Sequence, residues 1–242
     1  MYLIDQLTVV IVTYKTNKQI LDQCIKSILG KAKILIVENS YNKELKSSYE
    51  KNFPNLEVFL TGSNLGYGGG NNKGLSLVKT KYALISNPDV IYEDDFFNNL
   101  KTYIDEKTDF NIIGPLYRSN DYASHGYFDD LKNNRYQIDG LENESLIKTH
   151  WIVGCTMFIN LEKFENKKLF DENFFLFFEE FDLCRRVLKN GGKIYASKKL
   201  YVKHLGHKGS AIVDPKYEEE SNFLRSWHWM WSSFYYYEKN FS

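Results

Sequence analysis

The regular alternation of apolar strand-like runs with helix-like segments constrains the fold of this chain more than any other feature. Short β-branched runs lie at residues 6–14, 33–39, 55–60, 82–90 and 110–117. Runs that are apolar throughout are typical of strands buried on both faces, and alternation with helices is typical of a parallel sheet covered by helices. We therefore predict an α/β fold with a Rossmann-like, mostly parallel sheet flanked by helices.

The pattern changes in the second half of the chain. Residues 116–150 are polar and predict loops and short antiparallel strands, followed by a strand at 151–160. An apolar approach then leads into a helix within 174–192, and 193–211 predicts one or two short strands and a His/Gly loop. We predict one main domain over 1–213 and an aromatic-rich helical extension over 214–242.

Charge and cysteine content exclude several classes of function. Thirty-one basic residues balance 31 acidic ones, which gives no indication of a nucleic-acid partner. The three cysteines are far apart in sequence and are expected to be buried, reduced thiols. The sequence shows neither a signal peptide nor an apolar run of the roughly 20 residues that would span a bilayer. We expect a cytoplasmic location.

Polar residues follow the predicted strands at the places where α/β proteins bind ligands. Parallel sheets of this kind bind at the carboxyl ends of their strands. The polar residues at those ends include Thr13 and Tyr14, then Glu38 and Asn39, and then Asn87 to Asp89. We expect them to border a common site.

The stretch "SNLGYGGGNNKG" at 63–74 resembles a phosphate-binding loop in composition but matches neither common template. A Walker loop requires Lys followed by Ser or Thr, whereas Lys73 is followed by Gly74. A dinucleotide fingerprint that began at Gly66 would require a third glycine at position 71, which is Asn71. That fingerprint also follows the first strand directly, whereas this stretch follows the third predicted strand. The stretch is either a flexible turn or a set of small residues that open a helix and allow close approach of a ligand.

Three groups of side chains could carry chemistry. Asp89 could bind a divalent cation or cap a turn. Within "FFEEFDLCRR", Glu179 and Asp182 would share a helix face and Glu180 would point elsewhere; a carboxylate here could be a general base or a favourable acid at a helix N-terminus. His204 and His207 could each bind a metal or a phosphate, or neither.

Taken together and in order, these segments resemble glycosyltransferase family 2, whose members have the GT-A fold. The similarity spans about residues 7–210 and is carried by the following motifs: "VVIVTYKT", "ILIVENS", "NLGYGGGNNKG", "LISNPDV", "WIVGCTMFI", "FDENFFLFFEEFDLCRRV" and "VKHLGHKGS". The motif style is similar to that of the rhamnosyltransferase and galactofuranosyltransferase branch. The resemblance implies a GT-A fold with a smaller antiparallel part on the acceptor side.

The resemblance also implies roles for individual residues. The nucleotide-sugar site would be formed by Thr13, Tyr14, Glu38, Asn64, Gly66, Gly69, Asn72 and Asn87. Glu38 stands where the family usually has Asp, and Asn87 replaces the first Asp of the metal-binding motif. Asp89 and His204 would bind Mg²⁺ or Mn²⁺. Glu180 would be the general base with Asp182 supporting it from the helix, and Glu179 is the alternative base, since "EE" stands where "ED" is usual.

The implied reaction is metal-dependent inverting transfer from a dTDP- or UDP-linked sugar to a hydroxyl of a glycan or lipid-linked acceptor, in cell-surface polysaccharide synthesis. The alternatives are a non-catalytic nucleotide-sugar-binding subunit and a nucleotidyltransferase, although "VTYKTNKQ" lacks the signature of the latter. The aromatic tail could lie on the inner face of a membrane, or pack on the domain or on a second subunit in a homo-dimer.

Overall fold

The computed structural model describes residues 2–117, 125–126, 145–206, 209 and 218–241. The strands in these residues are β1 (Leu7–Thr13), β2 (Lys33–Glu38), β3 (Leu56–Leu60), β4 (Tyr82–Ser86), β5 (Val90–Tyr92), β6 (Ile112–Tyr117), β7 (His125–Gly126), β8 (Leu146–Lys148), β9 (Trp151–Ile152), β10 (Thr156–Asn160) and β11 (Ile194–His204). The α-helices are α1 (Lys18–Ile28), α2 (Lys43–Asn52), α3 (Gly66–Leu77), α4 (Phe96–Asp105), α5 (Glu179–Lys189) and α6 (Glu218–Phe241).

Most of these strands form one mixed sheet with the order β3-β2-β1-β4-β10-β6-β11-β5. The first four strands of this order are parallel, as the alternating pattern predicts. β10 then runs antiparallel between β4 and β6, and β5 and β8 pair antiparallel with β11. The sheet is therefore mostly parallel on one side and mixed on the other, in agreement with the predicted fold class.

Both faces of the parallel half are buried, which explains why its strands are apolar without alternation. In β1, Leu7, Val9 and Ile11 join one apolar cluster, together with the buried face of α1. Val10 and Val12 join the second cluster on the opposite face. Burial of both sets of side chains fixes the register of the strand, since a shift of one residue would exchange the two faces.

The structure corrects one strand prediction and shows that a second strand is single and longer than expected. The run 151–160 is two strands, because β9 pairs with β7 in a separate sheet and β10 enters the main sheet after a turn at 153–155. The segment after residue 193 forms one strand of 11 residues, with an irregular register between Ser197 and Tyr201. Most of the region 116–150 and the predicted loop around His207 lie outside the described residues.

The glycine-rich stretch is the start of a helix and not a flexible turn, because α3 begins within it at Gly66. Gly70 and Gly74 lie one turn apart on the face that packs against β1. A Cβ atom at Gly70 would lie 2.7 Å from Val12 Cγ1, and one at Gly74 would collide with Val10 and lie 3.0 Å from Val37 Cγ2. These glycines let the helix approach the sheet closely, so that their small size has a packing role.

Replacing Gly74 by alanine is expected to destabilise the fold by about 1–3 kcal/mol, because overpacking forces buried side chains to move. Val10 and Val37 are both fully buried and cannot yield easily. Gly69→Ala on the same helix is the control, since its Cβ would lie 3.1 Å from Leu65 Cβ and 4.0 Å from Glu172 Cγ, which is a milder contact than that at Gly74. Urea unfolding of both variants measures the difference; equal stabilities would contradict the packing role of Gly74.

The cysteines agree with the expectation from the sequence. Cys24, Cys155 and Cys184 are all free and buried. In the residues that the structure describes, no helix combines the length and the apolar character that crossing a membrane requires.

Candidate functional site

The carboxyl ends of β1 and β2 bring together three polar side chains. Thr13 Oγ1 donates a hydrogen bond of 2.5 Å to Glu38 Oε2, and Ser40 donates to the other carboxylate oxygen of Glu38. Glu38 is only 1% exposed, so its carboxylate is held between these two hydroxyls. Tyr14 follows β1 directly and is partly exposed beside them. This is the arrangement expected of one wall of a ligand site at a strand edge.

Asn39 links this wall to the start of α3. Its Nδ2 atom donates to the backbone oxygen of Gly66 at 2.9 Å and lies 3.4 Å from Asn64 Oδ1. Asn64 Oδ1 in turn accepts from the amide of Gly66 at 3.1 Å. Asn39 is 2% exposed, yet its Oδ1 atom has no hydrogen-bond partner among the described residues. A buried amide oxygen in this position is available to a ligand donor.

The opposite side of α3 holds residues 170–178, which we call the connecting segment because they lead into α5. Asn72 Nδ2 donates to Phe170 O at 2.8 Å, and Asn72 Oδ1 accepts from Phe170 N at 2.9 Å. The amide of Tyr67 donates to Phe175 O at 2.9 Å, and Gly66 lies against the same carbonyl. Asn72 is thus committed to the connecting segment, so any contribution to nucleotide binding would be indirect.

A second group forms where β4 ends and β11 ends. His204 is the partner of Val90 in the antiparallel pairing of β11 with β5, so that it lies beside the residue that precedes Val90. His204 Nε2 is 3.3 Å from Asp89 Oδ1 and 3.5 Å from Asn87 Nδ2. Asp89 is 1% exposed, and Gly209 packs against its carboxylate. The structure therefore brings together the three residues that the sequence assigned to the metal motif.

The third group is the carboxylate pair at the start of α5. Glu179 is 4% exposed and Asp182 is fully buried, as the three-residue spacing predicts, whereas Glu180 is partly exposed on a different face. Burial raises the pKa of Glu180 to about 7. Burial, and then the adjacent charge of Glu180, raises the pKa of Glu179 well above its ordinary value. Each carboxyl has an Oε2 atom without a hydrogen-bond partner among the described residues.

These pKa directions separate the two glutamates chemically. Glu179 is the more buried of the two, and its burial favours the neutral, protonated form by raising its pKa. Glu180 titrates close to pH 7 and can exist as a carboxylate that accepts a proton. Neighbouring carboxyls whose pKa values are raised by burial are typical of acid–base sites.

Tyr67 and the turn at 153–155 complete this group, although no sequence pattern indicates a role for them. The Tyr67 hydroxyl donates to Gly154 O, and burial, followed by the charge of Glu179, raises the pKa of Tyr67 well above its ordinary value. A Cβ atom at Gly154 would lie 3.4 Å from Glu180 Cβ. The amide of Asn87 donates to Cys155 O at 2.8 Å. The turn therefore connects the carboxylate pair with the Asn87–Asp89 group.

Asp182 pairs with basic side chains of α5 and α6. Its Oδ2 atom accepts from Arg186 Nε at 2.7 Å, and its Oδ1 atom lies 2.8 Å from Lys239 Nζ on α6. The carboxylate is buried and paired with two cations, so it is not available to take a proton from a substrate. The carboxylate therefore links α5 to α6 within the framework of the site.

Comparison with sequence families and curated proteins gives consistent matches. The family model described as "Glycosyl transferase family 2" matches residues 8–167. The low-salt glycan biosynthesis hexosyltransferase Agl10 of Haloferax volcanii is 26% identical over 195 residues, covering 76% of this chain and 62% of that protein. Rhamnosyltransferase WbbL of Escherichia coli K12 is 23% identical over 217 residues, covering 81% of this chain and 78% of that protein.

Comparison with solved structures supports the same architecture. GalNAc-T7 with UDP, GalNAc and Mn²⁺ gives a TM-score of 0.68 at 14% identity, covering 83% of this chain and 44% of that one. Residues 1–349 of S. aureus TarS in complex with UDP-GlcNAc give 0.59 at 14% identity, covering 92% of this chain and 66% of that one. The chain thus spans less than two thirds of the length of several of the proteins that it matches. At these identities the likeness shows the fold.

Proposed function

Because the chain belongs to glycosyltransferase family 2, in the rhamnosyltransferase-like branch, and has the GT-A fold, we propose that it transfers a sugar from a nucleotide diphosphate donor to an acceptor hydroxyl with inversion. The observation that carries this proposal is the carboxylate pair, in which Glu180 titrates near pH 7 beside the turn that also contacts Asn87. One general base is what a single displacement requires. The two relatives, a hexosyltransferase and a rhamnosyltransferase, support a hexose or deoxyhexose donor.

Glu180 is the base in the proposed reaction. Its carboxylate takes the proton of the acceptor hydroxyl while the hydroxyl oxygen forms a bond to the anomeric carbon. The bond from that carbon to the diphosphate oxygen breaks on the opposite side, and the nucleoside diphosphate leaves with the electron pair. The burial that raises the pKa of Glu179 favours its neutral form, which adds no second negative charge beside Glu180 and the anionic donor.

Asp89 and His204 fit a divalent cation. Two ligands of Mg²⁺ at right angles, each about 2.0–2.1 Å from the ion, are about 3 Å apart. The 3.3 Å between Asp89 Oδ1 and His204 Nε2 is close to this value. In the described ranges no group of three or more His, Cys, Asp or Glu residues could hold a metal, so the donor diphosphate and water would supply the other ligands. Bound Mg²⁺ or Mn²⁺ would neutralise the charge of the leaving diphosphate.

The nucleoside is proposed to lie at the ends of β1 and β2. Thr13, Tyr14 and Glu38 form the wall there, and Asn39 offers its buried amide oxygen. Glu38 already accepts from Thr13 and Ser40, so it would act mainly by fixing the orientation of their hydroxyl groups. Asn64 would cap α3 at the floor of the same site, with Gly66 and Gly69 in the first turn of that helix.

A screen of nucleotide sugars tests the proposed function. UDP- and dTDP-linked sugars are added to the protein with and without Mn²⁺ or Mg²⁺, and the thermal unfolding midpoint is measured. A donor that binds only the folded state at 100 times its Kd stabilises it by about 2.7 kcal/mol, which raises the midpoint by several degrees. Release of nucleoside diphosphate from the same donor then tests turnover. Failure of every donor to protect, with either metal, would overturn the proposal.

The outer face of α6 is proposed to make a peripheral contact. Trp227, Trp231 and Phe234 are 47%, 45% and 63% exposed, while the opposite face of the helix packs on the domain. Trp and Tyr are favoured at membrane interfaces, and an exposed aromatic face also suits pairing with a second copy. Co-sedimentation with liposomes would detect a membrane contact, and light scattering would detect a dimer. A monomer that does not co-sediment with liposomes would refute both.

A further inference from the structure

The chain enters α5 through two residues in a conformation that phenylalanine rarely adopts. Phe177 and Phe178 have φ angles of 70° and 66°, in the left-handed region. Phe178 is the residue that caps α5, and Glu179 and Glu180 follow it immediately. A strained backbone persists only where its surroundings hold it, and such strain is common next to functional groups.

α6 supplies most of the contacts on one side of the connecting segment. Four phenylalanine rings of the segment contact aromatic rings of α6, with centroid distances between 4.7 and 5.5 Å. The pairs are Phe174 with Tyr235, Phe175 with His228, Phe177 with Trp229, and Phe178 with Trp229 and Tyr236. The α6 partners recur at helical spacing and so share one face of the helix. The opposite side of the segment is held by α3, through Asn72 and Tyr67.

Two polar contacts from α6 are more specific than the ring contacts. The buried hydroxyl of Ser232 donates to the backbone oxygen of Leu176 at 2.8 Å, directly before the two strained residues. Lys239 Nζ lies 2.8 Å from Asp171 Oδ2 and 2.8 Å from Asp182 Oδ1. Lys239 thus ties the start of the connecting segment to the first turn of α5. Both ends of the strained junction are fixed to the same helix.

We propose that α6 is a positioning element for the reaction, and that Ser232 and Lys239 are positioning residues that hold the Phe177–Phe178 junction and so aim Glu180 at the acceptor. This inference rests on the proposed function, since it assigns the task of α6 by the role of Glu180. It gives the C-terminal helix a part in catalysis without any contact between α6 and the reacting atoms. Displacement of a catalytic group by about 1 Å can lower a rate by about 100-fold.

Ser232→Ala and Lys239→Met test this proposal, with Ser233→Ala as the matched control. Ser233 is the next residue on α6, and its hydroxyl donates only to Met230 O within the helix. We expect kcat, measured as nucleoside diphosphate release from dTDP-rhamnose or a UDP-linked sugar, to fall about 10–100-fold in both test variants while KM for the donor stays constant. Lys239→Arg should restore most of the rate, because guanidinium can bridge both carboxylates.

Hydrogen exchange provides a readout that does not depend on turnover. Amides of residues 171–182 should exchange faster in Ser232→Ala and Lys239→Met than in the wild type or in Ser233→Ala. If the wild type releases no nucleotide from any donor but this exchange pattern holds, the proposed function fails while the anchoring by α6 stands. Folded test variants with kcat within about twofold of the wild type would overturn the positioning role. Loss of the folded state in both would overturn it in favour of a purely structural role.

Discussion

Glu180→Gln should reduce sugar transfer by about 10²–10⁴-fold, the usual contribution of a general base. Glutamine keeps the size of the side chain beside Gly154 but cannot take a proton from the acceptor hydroxyl. Donor binding should be unchanged, since the diphosphate is assigned to Asp89 and His204. The measurement is nucleoside diphosphate release under saturating donor, together with donor-dependent thermal protection. Glu57→Gln, an exposed glutamate on β3, is the control and should behave like the wild type.

The pH dependence of the same variant gives an independent check. Burial raises the pKa of Glu180 to about 7, although hydrogen bonds from its own backbone, from the side chain of Glu179 and from the backbone at Gly154 act in the opposite direction. The rate of the wild type should therefore rise with pH through about 7, as the carboxylate forms, and Glu180→Gln should lose this rise. Full transfer by Glu180→Gln, with the wild-type pH profile, would show that another group is the base; Glu179→Gln is then the variant to examine.

The same pKa has a consequence for stability with a definite sign. The folded state binds a proton at Glu180 more tightly than the unfolded state does, because the pKa is about 7 when folded and about 4.5 when unfolded. The stabilising contribution is therefore complete below pH 4.5 and is lost as pH rises through about 7. Glutamine carries no charge at any pH. Glu180→Gln should thus be more stable than the wild type at pH 8, with a smaller difference at pH 4, in thermal unfolding.

Asp89→Asn should abolish metal-dependent transfer, with a loss of more than about 100-fold in metal affinity, because even residues that only orient a metal ligand contribute about 10–100-fold. The substitution keeps the shape of the side chain and removes the charge that faces the cation. Protection of the protein by donor and Mn²⁺ together should disappear, whereas binding of the nucleoside at the ends of β1 and β2 should be weakened less.

Asp94→Asn is the control for this experiment, since Asp94 is exposed and lies five residues further along the chain. Titration of Mn²⁺ against rate and against unfolding midpoint separates loss of metal binding from loss of folding. Turnover that persists in Asp89→Asn with the wild-type metal dependence would remove Asp89 from the metal site. A wild-type protein that binds nucleotide sugar without turnover would favour the non-catalytic binding subunit.

Much of the fold could be predicted from local patterns. The strands β1, β2 and β4 are recognisable because each is buried on both faces, which requires an apolar side chain at nearly every position. The candidate residues Thr13, Glu38 and Asp89 follow from the rule that strand ends border the site. The helix spacing at the start of α5 also predicts that Glu179 and Asp182 share one face of the helix while Glu180 points elsewhere.

Other features depend on pairings that no local window contains. The glycines of α3 look like a ligand loop in sequence, and only the contacts of Gly70 with Val12 and of Gly74 with Val10 show that they are needed for close packing. The turn at 153–155 was hidden in an apolar run, because β9 and β10 are both apolar but belong to different sheets. The choice between Glu179 and Glu180 required their burial, which a sequence pattern does not give.

The sequence by itself determined the α/β class, the parallel half of the sheet and the chemical types of the site residues, because periodicity and residue type act within one element and its immediate neighbours. Only the tertiary structure decided that antiparallel pairing of β11 with β5 places His204 beside Asp89, and that α6 packs on the segment before Glu180. These contacts join residues far apart in the chain, and their free energy depends on strand pairing and packing that form together, so no single segment encodes them.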